Sequence, residues 1–119
     1  MKITIGNDGE TIMEAEDEVL RVEFAYIGEG RCGYYNAKDP DDERLIRFYV
    51  YIKDEYGTWE EVDDTSYCTY IPVDTDPKLM KKLLATVFRE YRNVVDDIKN
   101  GSSVKKLGER LSWLGSDGV

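Results

Sequence analysis

From Pro77 to Asn100 the chain repeats apolar side chains every three or four positions: Leu79, Met80, Leu83, Leu84, Val87, Phe88, Tyr91, Val94, Val95 and Ile98. At about 100° per residue they cover one half of a cylinder, which is the signature of a long amphipathic helix. Asp76 is a strong N-cap residue, and Pro77 occupies the first helical position, where its missing N–H costs nothing. The pattern predicts a helix running unbroken to Asn100, with Gly101 as the stop after it. So wide an apolar face must be buried against another layer, and that requirement governs the rest of the fold.

The preceding residues supply strands. Lys2 to Ile5 reads as a short strand ended by the turn Gly6-Asn7-Asp8-Gly9. Thr11 to Glu18 is acidic and ambiguous. Val19 to Ile27 alternates, with Leu20, Val22, Phe24 and Tyr26 on one face and Arg21 and Glu23 on the other. Residues 28 to 43 hold three glycines, a proline and the run Asp39-Pro40-Asp41-Asp42-Glu43, and read as a long loop with room for a short strand at Tyr34 and Tyr35. Leu45 to Lys53 is the clearest strand: Ile46, Phe48, Val50 and Ile52 share one face, and Leu45, Arg47, Tyr49, Tyr51 and Lys53 the other. The turn Asp54-Glu55-Tyr56-Gly57 leads into Thr58 to Val62 as an antiparallel hairpin. Tyr67 to Val73 is a further strand, closed by Pro72. Beyond the long helix, Ser102 or Ser103 caps a second helix with Val104, Leu107, Leu111 and Leu114 on one face.

The expectation is an α+β fold, a small antiparallel sheet packed by one long amphipathic helix plus a short C-terminal helix. It forms a single domain over residues 1–119, with a strand-rich acidic half of about 1–73 and a helical half of about 76–114.

Absent residues narrow the chemistry. The chain has no histidine, which removes Ser-His-Asp and Cys-His catalysis, the usual zinc and iron sites and the commonest general base. Cys32 and Cys68 belong to no C-x-x-C pair and read as free thiols with no redox or metal role. Asp39 to Glu43 lacks the spacing and glycine of a calcium loop. Paired carboxylates for glycoside hydrolysis would need a cleft, for which a chain this size leaves little room. The reading is a non-enzymatic binding protein without cofactor or metal. No apolar run approaches the roughly 20 residues that span a bilayer, and Met1 to Ile5 lacks a signal peptide's apolar region, so a cytoplasmic protein without membrane contact is expected.

The formal charge of −9 is unevenly spread. Residues 1–66 carry seven basic side chains against eighteen acidic, and residues 67–119 nine against seven. On the long helix Lys81, Lys82, Arg89, Arg92 and Lys99 all fall within about 60° of Lys78, opposite the apolar arc, with Asn93 beside them. The usual meaning of such a stripe is a solvated face. The functional meaning is a surface for phosphate, for a nucleic-acid backbone or for an acidic partner. Phe88, at the edge of the apolar arc, would be partly exposed and free to stack on a base. On the second helix Lys106, Arg110 and Trp113 cluster on one side, which suits a base plus a phosphate or a tryptophan lying over a neighbouring element. Ser102 and Ser103 follow Gly101 at that helix's start, a plausible anion site that is no Walker loop. The candidate ligand-binding residues are therefore Phe88, Arg89, Arg92, Asn93, Ser102, Ser103, Lys106, Arg110 and Trp113. The acidic clusters Glu14 to Glu18, Asp39 to Glu43 and Glu60 to Asp64 either keep the surface solvated or imitate a nucleic-acid backbone. The aromatic second face of the sheet, with Arg47, Tyr49 and Tyr51, suggests a homo-oligomer.

The segment Ser66-Tyr67-Cys68-Thr69-Tyr70-Ile71-Pro72, the long helix, and Gly101-Ser102-Ser103-Val104-Lys105-Lys106-Leu107 running to Leu111-Ser112-Trp113 resemble small anti-defence proteins borne by phages and mobile elements of Gram-positive bacteria. The likeness is one of pattern and covers residues 66 to 114. One such class looks like the anti-Thoeris sponge family, whose oligomers bind cyclic nucleotide-type immune signals without cleaving them. The resemblance implies an oligomer that sequesters a phosphorylated (cyclic) nucleotide inside a bacterial host cell. A second class inhibits CRISPR effectors and implies an acidic, nucleic-acid-mimicking inhibitor of a basic effector or nuclease. Neither class assigns a role to a particular residue of this chain.

Overall fold

The computed structural model describes residues 1–6, 11–26, 45–62, 67–70, 76–100 and 104–111. The fold is α+β. Strands β1 (Lys2–Ile5), β2 (Thr11–Glu16), β3 (Leu20–Tyr26), β4 (Leu45–Lys53) and β5 (Trp59–Glu61) form an antiparallel sheet in sequential order. A sixth strand, β6 (Tyr67–Tyr70), lies beyond β5 in the chain. The long β4 pairs with β3 along one side. Along the other it carries two short strands end to end, β5 against Tyr51–Lys53 and β6 against Leu45–Phe48.

Alternation sets which face is buried. Leu20, Val22 and Phe24 of β3 and Ile46, Phe48 and Val50 of β4 are all at most 1% exposed. The register places Phe24 opposite Phe48 and Val22 opposite Val50, so the two strands present one continuous apolar surface. Met13 and Ala15 extend it onto β2, so the acidic stretch left ambiguous by its sequence is a strand. Its glutamates occupy the opposite face, where charge costs little.

Helix α1 (Pro77–Asn93) lies across this surface. The Asp76 carboxylate accepts from the Lys78 N–H at 2.8 Å and caps the helix as its sequence predicts. Met80, Leu83, Leu84, Val87, Phe88 and Tyr91 are buried. The helix does not run unbroken to Asn100. It is interrupted at Val94, whose backbone leaves helical values (φ −119°, ψ 21°), and resumes as α2 (Val95–Lys99). The adjacent β-branched residues Val94 and Val95 tolerate this turn better than a straight-chain pair would. Asp96 and Asp97 then fall in the first turn of α2, favourable to its positive end. The break keeps Val95 and Ile98 in the core. A third helix, α3 (Val104–Leu111), adds Leu107 and Leu111 to the same apolar cluster.

Residues 28 to 43, Ser102, Ser103, Leu114 and the expected stop at Gly101 lie outside the described residues. No helix among the described residues is long and apolar enough to cross a membrane.

Candidate functional site

The cationic face of α1 is present. Lys78, Lys81, Lys82, Arg89, Arg92 and Asn93 are all exposed. Four of them, Lys78, Lys81, Lys82 and Arg89, have no ion-pair partner among the described residues. Arg92 is committed elsewhere: its Nε donates to Asp17 Oδ2 at 2.8 Å, and its guanidinium lies 3.9 Å from Glu18 Oε1. Lys99 lies beyond the break at Val94, on α2, and lines a groove beside the β4–β5 hairpin.

Phe88 is not partly exposed. It is 5% accessible and belongs to the core cluster, so its ring cannot stack on a ligand. A helical wheel sets it at the edge of the apolar arc, and the packing of α1 onto the sheet closes that edge. On α3, Lys106 and Arg110 are exposed, but Arg110 reaches back to Glu90 of α1 with a 3.0 Å contact between Nη2 and Oε2. Trp113, Ser102 and Ser103 lie outside the described residues. Of the nine candidates, Arg89, Asn93 and Lys106 thus stand exposed and without an ion pair among the described residues, the first two on α1 and the third on α3.

The sheet face turned away from the helices is highly organised. Arg21 bonds Glu14 and Glu23 at 2.7 Å each and lies 5.6 Å from the centre of the Tyr51 ring. Arg47 stacks on Tyr49 at 5.9 Å, and Lys53 on Trp59 at 4.8 Å. Burial opposes the charge of Arg21, but Glu23 and Glu14 outweigh it and hold its pKa above the ordinary value. The Nε atoms of Arg21 and Arg47 are buried with no hydrogen-bond acceptor among the described residues. These aromatics are half-buried and engaged by cations of their own chain, which leaves less free ring surface for a second copy than the strand pattern suggests.

A concave site was missed by sequence reasoning. A groove of about 790 Å³ opens where the β4–β5 hairpin meets α2. Its apolar lining comes from Val19, Ile52, Val62, Ile98 and the ring of Tyr56. Its polar lining comes from Glu18, Asp54, Glu55, Glu60 and Glu61 against Lys53 and Lys99, five carboxylates to two ammonium groups.

The hairpin turn fixes one wall. Asp54 Oδ1 accepts from the N–H of Tyr56 and of Thr58, and Gly57 takes a φ of 83° that favours glycine. Glu55, Tyr56 and Glu60 are consequently held out toward solvent, with Tyr56 85% exposed. Glu55 and Glu60 have no ion-pair partner among the described residues. The signal in the sequence was the acidic run beginning at Glu60, but only the fold shows that Glu18, Asp54, Glu55 and Ile98 join it.

Among the described residues no group of three or more His, Cys, Asp or Glu side chains is arranged to hold a metal ion. Comparison with protein families, with curated proteins and with solved structures finds no match to this chain.

Proposed function

We propose that this chain is a non-enzymatic binding protein that docks a cationic partner in the groove between the β4–β5 hairpin and α2. The observation that carries this reading is the coincidence of shape and charge. The groove has an apolar floor and a carboxylate-rich rim, on a protein whose formal charge is −9. Such a field draws a basic partner toward the molecule, and the apolar floor supplies the short-range attraction that a charged rim alone lacks. A segment with Lys or Arg beside one apolar anchor fits both, and the exposed Tyr56 ring offers its face to a guanidinium. A basic nucleic-acid-binding protein is the natural partner class, since carboxylates along a surface can occupy the place of phosphates. The chain would then act as an inhibitor of such an effector, the anti-defence role implied by the sequence resemblance.

The test is calorimetric titration with a synthetic Arg/Lys-rich peptide carrying one Leu, and with the same peptide lacking Leu. The triple variant Glu18→Lys, Glu55→Lys, Glu60→Lys should abolish binding while its circular dichroism stays native. Binding that survives the triple reversal, or that is indifferent to salt between about 50 and 300 mM, overturns the reading.

A second reading is favoured by four cations of α1 that have no ion pair among the described residues. Lys78, Lys81, Lys82 and Arg89 stand exposed on a chain rich in carboxylates, which suits a phosphorylated nucleotide-type ligand sequestered without cleavage. Arg89, Asn93 and Lys106 would be its nearest contacts. Thermal-shift titration with cyclic nucleotides and ADP-ribose derivatives tests it, with mass spectrometry to recover the ligand unchanged. If none moves the melting temperature, or if Arg89→Ala leaves an observed shift intact, this second reading fails.

A further inference from the structure

Strand β1 closes one edge of the sheet, and its outer side pairs with no other described strand. The Gly6 N–H reaches the Ile12 carbonyl at 3.0 Å, so even-numbered residues of β1 turn their backbone groups toward β2. Ile3 and Ile5, the odd-numbered residues, therefore present their N–H and C=O outward. The side chains separate just as cleanly. Ile3 lies opposite Ala15 and Ile5 opposite Met13, on the sheet face that the helices cover. Yet Ile5 is 71% and Met1 61% exposed, because the helical layer stops short of this edge. An unpaired strand edge and an exposed apolar stripe thus coincide.

We propose that this edge pairs with the β1 of a second copy of the chain, antiparallel, across a two-fold axis through Ile3. In that register Ile3 meets the second copy's Ile3, and Met1 meets the second copy's Ile5 in both directions. All six apolar side chains fall on one face, in directly opposed pairs. The outward N–H and C=O groups of Ile3 and Ile5 find acceptors and donors. On the other face Lys2 stands opposite the second copy's Thr4, whose own neighbour across β2 is Glu14. Each Lys2 keeps Glu16 of its own chain as neighbour and meets an uncharged Thr4 across the seam, so no like charges are set opposite one another. A shift of the axis to Lys2 would set the two Lys2 side chains against each other, and a shift to Thr4 would leave Met1 without an apolar counterpart. The register is selected by its alternatives' faults as much as by its own contacts.

The test combines sedimentation equilibrium with hydrogen exchange on the full chain. Wild type should reach twice the chain mass as concentration rises, and the Ile3 and Ile5 amides should become at least tenfold better protected over the same range. Ile5→Lys should remain monomeric. So should Ile5→Pro, which removes an outward N–H and no bond of the monomer's own sheet. A single-chain mass at all concentrations up to about 0.5 mM overturns the proposal. So does a dimer whose Ile3 and Ile5 amides exchange freely, or one that persists in both variants. The exchange measurement on wild type decides the matter even if a variant fails to fold.

Discussion

Asp17 Oδ2 accepts a hydrogen bond from Arg92 Nε at 2.8 Å, joining two residues 75 positions apart in the chain. The other oxygen, Oδ1, accepts from the N–H of Val19 at 2.8 Å and of Leu20 at 2.9 Å. One carboxylate therefore closes the β2–β3 turn and fastens the last turn of α1 to it. The acidic first half and the basic second half of the sequence, which their charge counts set apart, meet at this point.

Asp17→Ala should cost about 2 kcal/mol, since it leaves two turn N–H groups without an acceptor and frees the guanidinium. Arg92→Ala should cost less, about 0.5–1 kcal/mol, because Arg92 is 42% exposed and water screens the pair. Urea denaturation of the two variants measures both. Burial pushes the Asp17 carboxyl up, but the Val19 and Leu20 N–H groups and the Arg92 guanidinium outweigh it and hold its pKa below the usual 3.8. The folded state thus holds this proton less tightly than the unfolded chain. The stabilisation is complete above 3.8 and is lost as the pH falls through the lower folded value. Asp17→Asn should therefore lose stability less steeply than wild type on acidification through that window.

Tyr51 gives the opposite dependence, at the alkaline end. Burial, then a hydrogen bond to Glu23 and the charges of Glu23 and Glu61, raises its phenol well above the usual 10.0, against a smaller opposing effect of Arg21. The folded state holds the proton more tightly than the unfolded chain, so this stabilisation is present below 10.0 and is lost as the pH rises beyond it toward the folded value. Tyr51→Phe cannot titrate. Its stability should fall less steeply than that of wild type from about pH 10 upward, as read by urea melts at closely spaced pH values.

Strands β3 and β4 and the start of α1 were legible because their periods are strong and unmixed, whereas the acidic stretch that forms β2 was ambiguous. Leu45–Lys53 alternates without exception and forms β4 with the bounds read from its sequence. The break at Val94 was not legible, because Val94, Val95 and Ile98 keep helical spacing on both sides of it and no glycine or proline marks the turn. Candidate site residues fared differently. A helical wheel finds which residues share a face, and it found the exposed cations. It carries no information about what approaches from another element, so neither the burial of Phe88 nor the engagement of Arg92 by Asp17 and of Arg110 by Glu90 could be read from it. The groove is a product of tertiary assembly, since its lining comes from segments near residues 18, 53, 61 and 98.

Gly6 shows a constraint of close approach. A Cβ placed on it would collide with the carbonyl oxygen of Thr11, a backbone atom of β2 whose residue pairs with Ala25 of β3. A side chain there cannot be relieved by a rotamer change, so the strands must separate. Gly6→Ala should destabilise by about 1–3 kcal/mol, whereas Gly57→Ala, which meets open space, pays only for its left-handed backbone, about 1 kcal/mol. Thermal melts of the two variants should preserve that order, and equal losses would mean that the Gly6 contact is relieved without separating the strands.

The centre of the sheet is where α1 is anchored. Phe48 lies 6.3 Å from Phe24 across the β3–β4 pair and 6.3 Å from Tyr91, whose ring meets it edge-on at 64°. All three are essentially inaccessible to water. Truncation at Phe48 therefore removes contacts to the neighbouring strand and to the helix together, and the surrounding β-strands are too tightly paired to collapse into the space. Phe48→Ala should cost about 3–5 kcal/mol, and Phe48→Leu roughly 1–2 kcal/mol. Because Phe24 and Tyr91 both contact the deleted ring, neither Phe24→Leu nor Tyr91→Leu should add to Phe48→Leu independently, and a double-mutant cycle should show coupling above about 0.5 kcal/mol for each pair. Additivity in the Phe48–Tyr91 cycle would mean that α1 is held by its aliphatic residues, with Leu84 and Val87 anchoring the helix in place of the aromatic contact.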